Sequence, residues 1–374
     1  MEKFIAGFYK QQLKYKSFSP NRINREFSIN NPEILVLLEE AGRYLGELNA
    51  YSRLVPNIDI FIKMHIIREA TLSSRIEGTQ TTLEEAAMPE TGVRPERRDD
   101  WAEVQNYIKA INYAVDNLKE LPVSTRLIKQ THAILLSGAR GKERYPGEIR
   151  RSQNWIGGSN PGDAFFVPPH YEDVPDAMSD LENFWHNKNL RIPVLVKTAI
   201  FHYQFETIHP FCDGNGRMGR LLIPLMLVEE GVLDKPSLYI SYFFEKNKGS
   251  YYDSLTLVRS SNDLTQWIKF FLSGVLTSAK KGKETLEKIL KLKEDVENKI
   301  IASGLNNKNA GGLVLGLFEN PYTSVAEVME KFELSRPTAS KLLAKLEALG
   351  ILRAGRTRPK LYLFAQYLDL FDGR

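Results

Sequence analysis

Apolar residues recur at the spacing of amphipathic helices along most of these 374 residues, and that period limits the fold more than any other feature. Asn31 before Pro32 places a capping residue ahead of a proline suited to a first helical turn. From Asp59 to Ile76, Ile60, Met64, Ile67 and Leu72 stand among charged residues at a rough helical period. Helical patterns recur over 101–118, 124–137, 173–187, 194–205 and 216–230. Residues 147–169 break the habit. Two short apolar pieces, Asn154-Trp-Ile and Ala164-Phe-Phe-Val, flank a Gly/Asn/Pro turn and predict a β-hairpin over 154–169 within a mainly α protein.

The chain is long enough for two or three domains, and its 43% hydrophobic and 26% charged residues belong to the soluble globular class. A net charge of +4 is small for this length, so the molecule as a whole is no obvious polyanion binder. One cysteine, Cys212, excludes an intrachain disulfide and points to a reducing compartment. The first ten residues are broken by charges and aromatics and lack the apolar core of a signal peptide, and no apolar run is long enough to span a bilayer. The expectation is a cytoplasmic protein with no membrane partner.

Residues 279–300 are rich in Lys and Glu, with Leu286, Ile289, Leu290, Val296 and Ile300 as a broken stripe, and predict a helix leading out of the main domain. The Gly- and Asn-rich run from Gly304 to Gly312 is the expected linker. Beyond it, a helix over Leu313–Phe318 stops at Asn320-Pro321, and Ser324-x-x-Glu327 is a capping box opening the next. Ser335-Arg-Pro337 opens a third, with Leu342, Leu343, Leu346 and Leu349 on its apolar side and Gly350 as its stop. Ile351 to Arg353 and Lys360 to Phe364, joined by a basic turn through Gly355 and Pro359, read as a hairpin. Three helices and a hairpin resemble a winged helix-turn-helix. Between Leu334 and Leu363, Arg336, Lys341, Lys345, Arg353, Arg356, Arg358 and Lys360 are opposed by Glu347 alone. That is the footprint of DNA-backbone contact, although such modules also bind proteins.

The chemistry concentrates in His209-Pro-Phe-Cys-Asp-Gly-Asn-Gly-Arg-Met-Gly-Arg220. Gly214, Asn215 and Gly216 precede a helix marked by Met218, Leu221, Leu222 and Leu225, and a Gly-rich helix start presents unpaired N–H groups to an anion. Arg217 and Arg220, three apart, emerge near the same end and suit more than one phosphate. Asp213 supplies a hard oxygen for a phosphate-bridging Mg²⁺, and His209 stands where it can take a proton from a hydroxyl. Phe211 reads as an apolar anchor and Cys212 as a neutral filler. Pro224 inside the following helix removes the bond to the Arg220 carbonyl, a tolerated kink. The other histidines, His65, His132, His170, His186 and His202, are scattered without a metal-ligand spacing.

The run resembles the Fic motif, His-x-Phe-x-(Asp/Glu)-Gly-Asn-Gly-Arg-x-x-Arg, at every fixed position. The resemblance implies a protein adenylyltransferase that moves AMP from ATP, with Mg²⁺, onto a Ser, Thr or Tyr hydroxyl. On it, His209 is the general base, Asp213 the Mg²⁺ ligand, Gly214, Asn215 and Gly216 the phosphate-holding turn, and Arg217 and Arg220 the residues on the β- and γ-phosphates. The hairpin at 154–169 is placed like the Fic flap that aligns the target segment. Asn247 sits where relatives have an adenine-contacting Asn. Ser73-Ser-Arg-Ile-Glu77-Gly78 resembles the inhibitory motif (Ser/Thr)-x-x-x-Glu-(Gly/Asn), so that Glu77 would pair with Arg220 and keep it from the γ-phosphate. The resemblance divides the chain into an N-terminal helical region with the inhibitory helix (1–99), a Fic core (100–275), a linker helix and linker (276–309) and the winged helix-turn-helix (310–374). Family habit implies a homodimer and a protein substrate, the chain itself included. The rival reading is a DNA-binding regulator or toxin–antitoxin component in which the Fic domain is accessory.

Overall fold

The structure is a computed structural model that describes residues 3–27, 31–54, 58–138, 144–305, 308–355 and 360–372. It opens on an antiparallel pair, β1 (Gly7–Gln11) and β2 (Lys16–Pro20), with Gly7 opposite Pro20. The N-terminal helical region expected over 1–99 thus carries a strand pair ahead of its helices. β1 carries no alternating apolar face and is largely exposed, so no period betrays it. The pair is held instead by distant partners: Phe18 is fully buried between Tyr9 and Phe166, and its N–H donates to Val167 O at 2.9 Å.

Helices follow as α1 (Pro32–Leu54), α2 (Ile58–Ile76), α3 (Leu83–Ala87), α4 (Arg98–Asn117), α5 (Thr125–Leu135), α6 (Val174–His186), α7 (Val194–Ile208) and α8 (Asn215–Glu229). Then come α9 (Ser241–Lys246), α10 (Lys248–Ser261) and α11 (Leu264–Ala302). α7 is buried on every side, as a helix apolar all round must be, and it forms the axis of the core. α8 packs against it and runs unbroken through Pro224. α11 starts at Asp263, whose carboxylate accepts from Gln266 N, and lays Trp267, Phe271, Val275, Leu286 and Ile289 inward along α1. One continuous helix therefore crosses the position between 275 and 276.

The flap segment is closed by a single bridge, Ile156 to Phe166, rather than by a ladder. Its tip is folded on Asp163, whose carboxylate accepts from the N–H groups of Ser159 and Asn160.

At the C-terminus stand α12 (Lys308–Glu319), β3 (Tyr322–Ser324), α13 (Val325–Phe332), α14 (Arg336–Ala348), β4 (Arg353–Ala354), β5 (Leu361–Leu363) and α15 (Ala365–Asp372), with sheet order β3-β5-β4. The linker expected over 304–312 is corrected: residues 306 and 307 lie outside the described residues, and α12 already begins at Lys308. Gly312 serves a close approach, because a Cβ there would stand 3.0 Å from the Phe332 ring. The capping box of Ser324 and Glu327 forms as expected. Arg356, Arg358 and Pro359 of the basic turn lie outside the described residues.

This module packs on α2 and α3: Phe318 meets Phe61 with ring centres 5.4 Å apart, and Tyr322 donates to Glu84 Oε1 at 3.1 Å. Its remaining basic residues, Arg336, Lys341, Lys345, Arg353 and Lys360, are exposed. Among the described residues no helix is long and apolar enough to cross a membrane.

Candidate active site

The turn from α7 to α8 is built by two residues in the left-handed region. His209 ends α7 at φ +50°, and Gly214 precedes α8 at φ +74°. A Cβ on Gly214 would press on Leu136 at 3.1 Å, so glycine is required there on both counts. α8 begins at Asn215, which places Asn215 and Gly216 in its first turn rather than ahead of it. Asn215 spends its amide on the loop, its Oδ1 accepting from Phe211 N and its Nδ2 donating to Phe211 O, both at 2.9 Å. The anion-facing groups of this turn are accordingly backbone N–H groups.

Phe211 is fully buried, and its ring stacks on His132 at 3.6 Å. Gly147 N donates to His132 Nδ1 at 2.9 Å, so Nε2 carries the proton and donates to Asp213 O at 2.9 Å. Burial depresses the His132 pKa to about 4 and keeps the ring neutral. A histidine that the sequence leaves scattered thus pins the loop at Phe211 and Asp213.

His209 is half-buried, and its Nδ1 lies 3.4 Å from Glu206 O. A proton on Nδ1 leaves Nε2 bare. Burial, opposed by the Glu206 carbonyl, holds the His209 pKa down at about 4, so the imidazole is neutral at pH 7 and able to accept. Its backbone is fixed by residues that carry no motif. Arg150 donates to His209 O at 3.0 Å and Pro169 O at 2.6 Å, while Asn154 donates to His209 O at 3.2 Å and Phe211 O at 2.9 Å. Arg150 is buried and, among the described residues, pairs with no carboxylate, and desolvation lowers its pKa to about 10. These bonds tie the flap to the catalytic loop. Cys212 is half-buried and its thiol is pushed up by burial, the opposite of an activated nucleophile.

Both arginines emerge at the N-terminal end of α8. Arg217 donates through Nη1 to Glu103 Oε2 at 3.0 Å, with Asp213 Oδ1 3.8 Å from its Nη2. Arg220 is fully buried. It donates through Nε to Ser73 Oγ at 3.0 Å, and through Nη2 to Ser73 O at 2.9 Å and Glu77 Oε1 at 2.6 Å. Glu77 follows the end of α2, and a Cβ on Gly216 would stand 2.3 Å from its Oε1, so its carboxylate lies over the first turn of α8. Desolvation raises the Glu77 pKa, and the Arg220 charge outweighs it and lowers the net value; Arg220 is raised in turn. Two further carboxylates, Glu69 and Glu206, are buried nearby and pushed up to about 7 by desolvation.

Asn247 joins α9 to α10, where its amide donates to Phe243 O at 2.8 Å. Its neighbour Lys248 donates to Ile76 O at 2.6 Å, which places this junction against the end of α2. The structure therefore brings together His209, Asp213, Gly214, Asn215, Gly216, Arg217, Arg220, Ser73 and Glu77. It adds His132, Arg150, Asn154 and Glu103, for which the sequence carries no periodic or spacing signal. Among the described residues no group of three or more His, Cys, Asp or Glu is placed to hold a metal.

Three family models match the chain: the Fic/DOC family N-terminal region over residues 35–116, the Fic/DOC family over 122–227, and the C-terminal domain of SoFic-like protein adenylyltransferases over 306–367. A probable protein adenylyltransferase of Aquifex aeolicus is 38% identical over 136 residues, which are 35% of this chain and 39% of that protein. The protein adenylyltransferase Fic of Aedes aegypti is 34% identical over 125 residues, 33% of this chain and 22% of that one. The chain thus spans two fifths or less of the length of these curated relatives. A crystal structure of a Fic family protein from Desulfovibrio desulfuricans G20 shares the fold with TM-score 0.58 at 23% identity, covering 91% of this chain and 98% of that one. A Fic domain-containing signalling protein from Bacteroides thetaiotaomicron does so with TM-score 0.55 at 18% identity, covering 67% and 97%.

Proposed function

We propose that this chain, which belongs to the Fic/DOC family, transfers AMP from ATP to a hydroxyl group of a protein. The observation that carries the reading is the arrangement at one helix end. A neutral His209 stands beside the start of α8, whose N–H groups have no side-chain cap, and Arg217 and Arg220 flank the same end.

In the reaction, the target's hydroxyl oxygen bonds to the α-phosphorus while the bond from that phosphorus to the bridging oxygen breaks. The hydroxyl proton goes to His209 Nε2, and pyrophosphate leaves. Backbone N–H groups at the start of α8 and the two arginines bear the phosphate charge, so catalysis is mainly positioning and electrostatic stabilisation. Asp213, whose side chain is 49% exposed, would hold a Mg²⁺. A single hard carboxylate beside a phosphate seat suits an ion that keeps several waters. Bound there, Mg²⁺ would neutralise phosphate charge.

Glu77 acts as a brake. It occupies the guanidinium that a γ-phosphate needs and lies over the turn that would receive it. Asn247 is the adenine-side residue, beside the end of α2. From the family resemblance we carry over a homodimeric cytoplasmic enzyme whose target is a protein, itself included.

The donor chemistry is tested with the Glu77→Gly variant and ATP labelled at the α- or the γ-phosphate. Label passes to protein from the α-phosphate only; transfer of the γ-label would overturn the reading.

A second reading concerns the C-terminal module. Arg336, Lys341, Lys345, Arg353 and Lys360 are exposed, and among the described residues none is in an ion pair. Such exposed charges suit a DNA backbone. A gel shift whose affinity falls steeply with salt supports it, and no binding to any duplex at low salt removes it.

A further inference from the structure

We propose that Glu103 is the positioning residue of Arg217, holding that guanidinium ready for a phosphate from outside the phosphate seat. The proposal rests on the reading that this site binds ATP. Glu103 belongs to α4, far from the 209–220 run in sequence, yet its Oε2 accepts from Arg217 Nη1 at 3.0 Å.

Arg217 has few other anchors. It is 5% exposed, and among the described residues its Nε has no hydrogen-bond partner and Glu103 is the one carboxylate that accepts from it, Asp213 lying 3.8 Å from Nη2. A long side chain with one firm partner keeps most of its rotamer freedom unless that partner fixes it. Fixing it before the ligand arrives removes an ordering cost from binding.

Direction separates Glu103 from Glu77. The Glu77 carboxylate lies over Gly216, where an anion would sit. Glu103 instead lines a cavity of about 60 Å³ with Asp99, Asn106, Leu136 and Asp213, on the α4–α5 side. It takes one N–H of the guanidinium, through Nη1, and leaves Nη2 3.8 Å from Asp213. The start of α4 is itself fixed to the inhibitory segment, because Gln80 N donates to Asp100 Oδ2 at 2.8 Å. Glu103 therefore presents its carboxylate from a held helix.

The test uses the full chain in the Glu77→Gly background, adding Glu103→Ala or Glu103→Gln. Steady-state AMP transfer is expected to show KM for ATP raised about tenfold in the Ala variant and about threefold in the Gln variant, with kcat within about twofold. The Gln variant keeps the shape and an acceptor oxygen, so it carries the test if the Ala variant fails to fold. An unchanged KM overturns the proposal. So does a lowered KM, which would make Glu103 a competitor of phosphate like Glu77. If Glu77→Gly transfers nothing, the functional reading fails separately. Glu103 is then judged by calorimetric ATP binding, weaker binding in the variants supporting its role and equal binding overturning it.

Discussion

The Glu77 carboxylate lies 2.6 Å from Arg220 Nη2, joining residues 143 positions apart in the chain. The same guanidinium donates to the hydroxyl and the carbonyl of Ser73, one helical turn before Glu77. With Arg220 fully buried, three of its hydrogen bonds go to the end of α2. On the proposed function, a γ-phosphate reaching for this group would have to displace a charge-assisted bond, which is stronger than a neutral one.

The Ser73 hydroxyl contributes a smaller share of this hold. Ser73→Ala removes the acceptor for Nε and leaves the carbonyl bond in place. AMP transfer is expected to rise about two- to fivefold over wild type, well short of Glu77→Gly, as for loss of one bond to a charged group shared with other partners. The check is initial rates of labelled-AMP incorporation. A rate equal to wild type would leave the hydroxyl without a part in the brake.

On the proposed role of His209 as the base, its pKa sets the acid side of the rate profile. Its pKa of about 4 lies below the usual 6.5 because burial penalises the imidazolium. A base works in its neutral form, so lowering the pKa extends activity towards acid. For Glu77→Gly, kcat is expected to hold from pH 8 down to about 5 and to fall only below that. A half-fall near pH 6.5 would mean an ordinary, solvated imidazole. His209→Ala is expected to abolish transfer while ATP binding by calorimetry remains; loss of binding too would make His209 structural.

His132 should matter more to the loop than its place in the sequence suggests. His132→Ala removes two hydrogen bonds and a stacked ring from a buried site, a loss of about 2–4 kcal/mol of stability. Chemical denaturation measures it. A change under about 0.5 kcal/mol would show that Asn215, Arg150 and Asn154 hold the loop without it.

Arg150→Lys keeps the charge and loses the fork that reaches the His209 and Pro169 carbonyls together. The expected result is kcat lowered about ten- to a hundredfold in the Glu77→Gly background, with ATP affinity retained. Equal kcat would mean that the flap and His209 need no such tie.

What the sequence made legible follows from what is periodic or contiguous. α7 and α8 announce themselves by apolar spacing, and the run from His209 to Arg220 keeps its chemistry within one turn and one helix start. The pairing of Glu77 with Arg220 was also readable, because both lie in short patterns. β1 and β2 were not, since their stability comes from Phe18 meeting Phe166 and Val167 across the fold. Glu103, His132 and Arg150 were invisible for the same reason: each acts through a few long-range bonds, and no spacing rule records those. The linker at 304–312 misled because Gly312 serves packing against Phe332 rather than freedom of the chain.

The central claim is that Glu77 restrains an AMP transferase through Arg220. The most direct measurement is the intact mass of purified wild-type and Glu77→Gly chains after incubation with ATP and Mg²⁺, alone and with a cell extract carrying labelled ATP. The account predicts added AMP, on the chain or on extract proteins, in the Glu77→Gly sample and little in wild type. Equal or lower incorporation by Glu77→Gly, with ATP still bound, would contradict it.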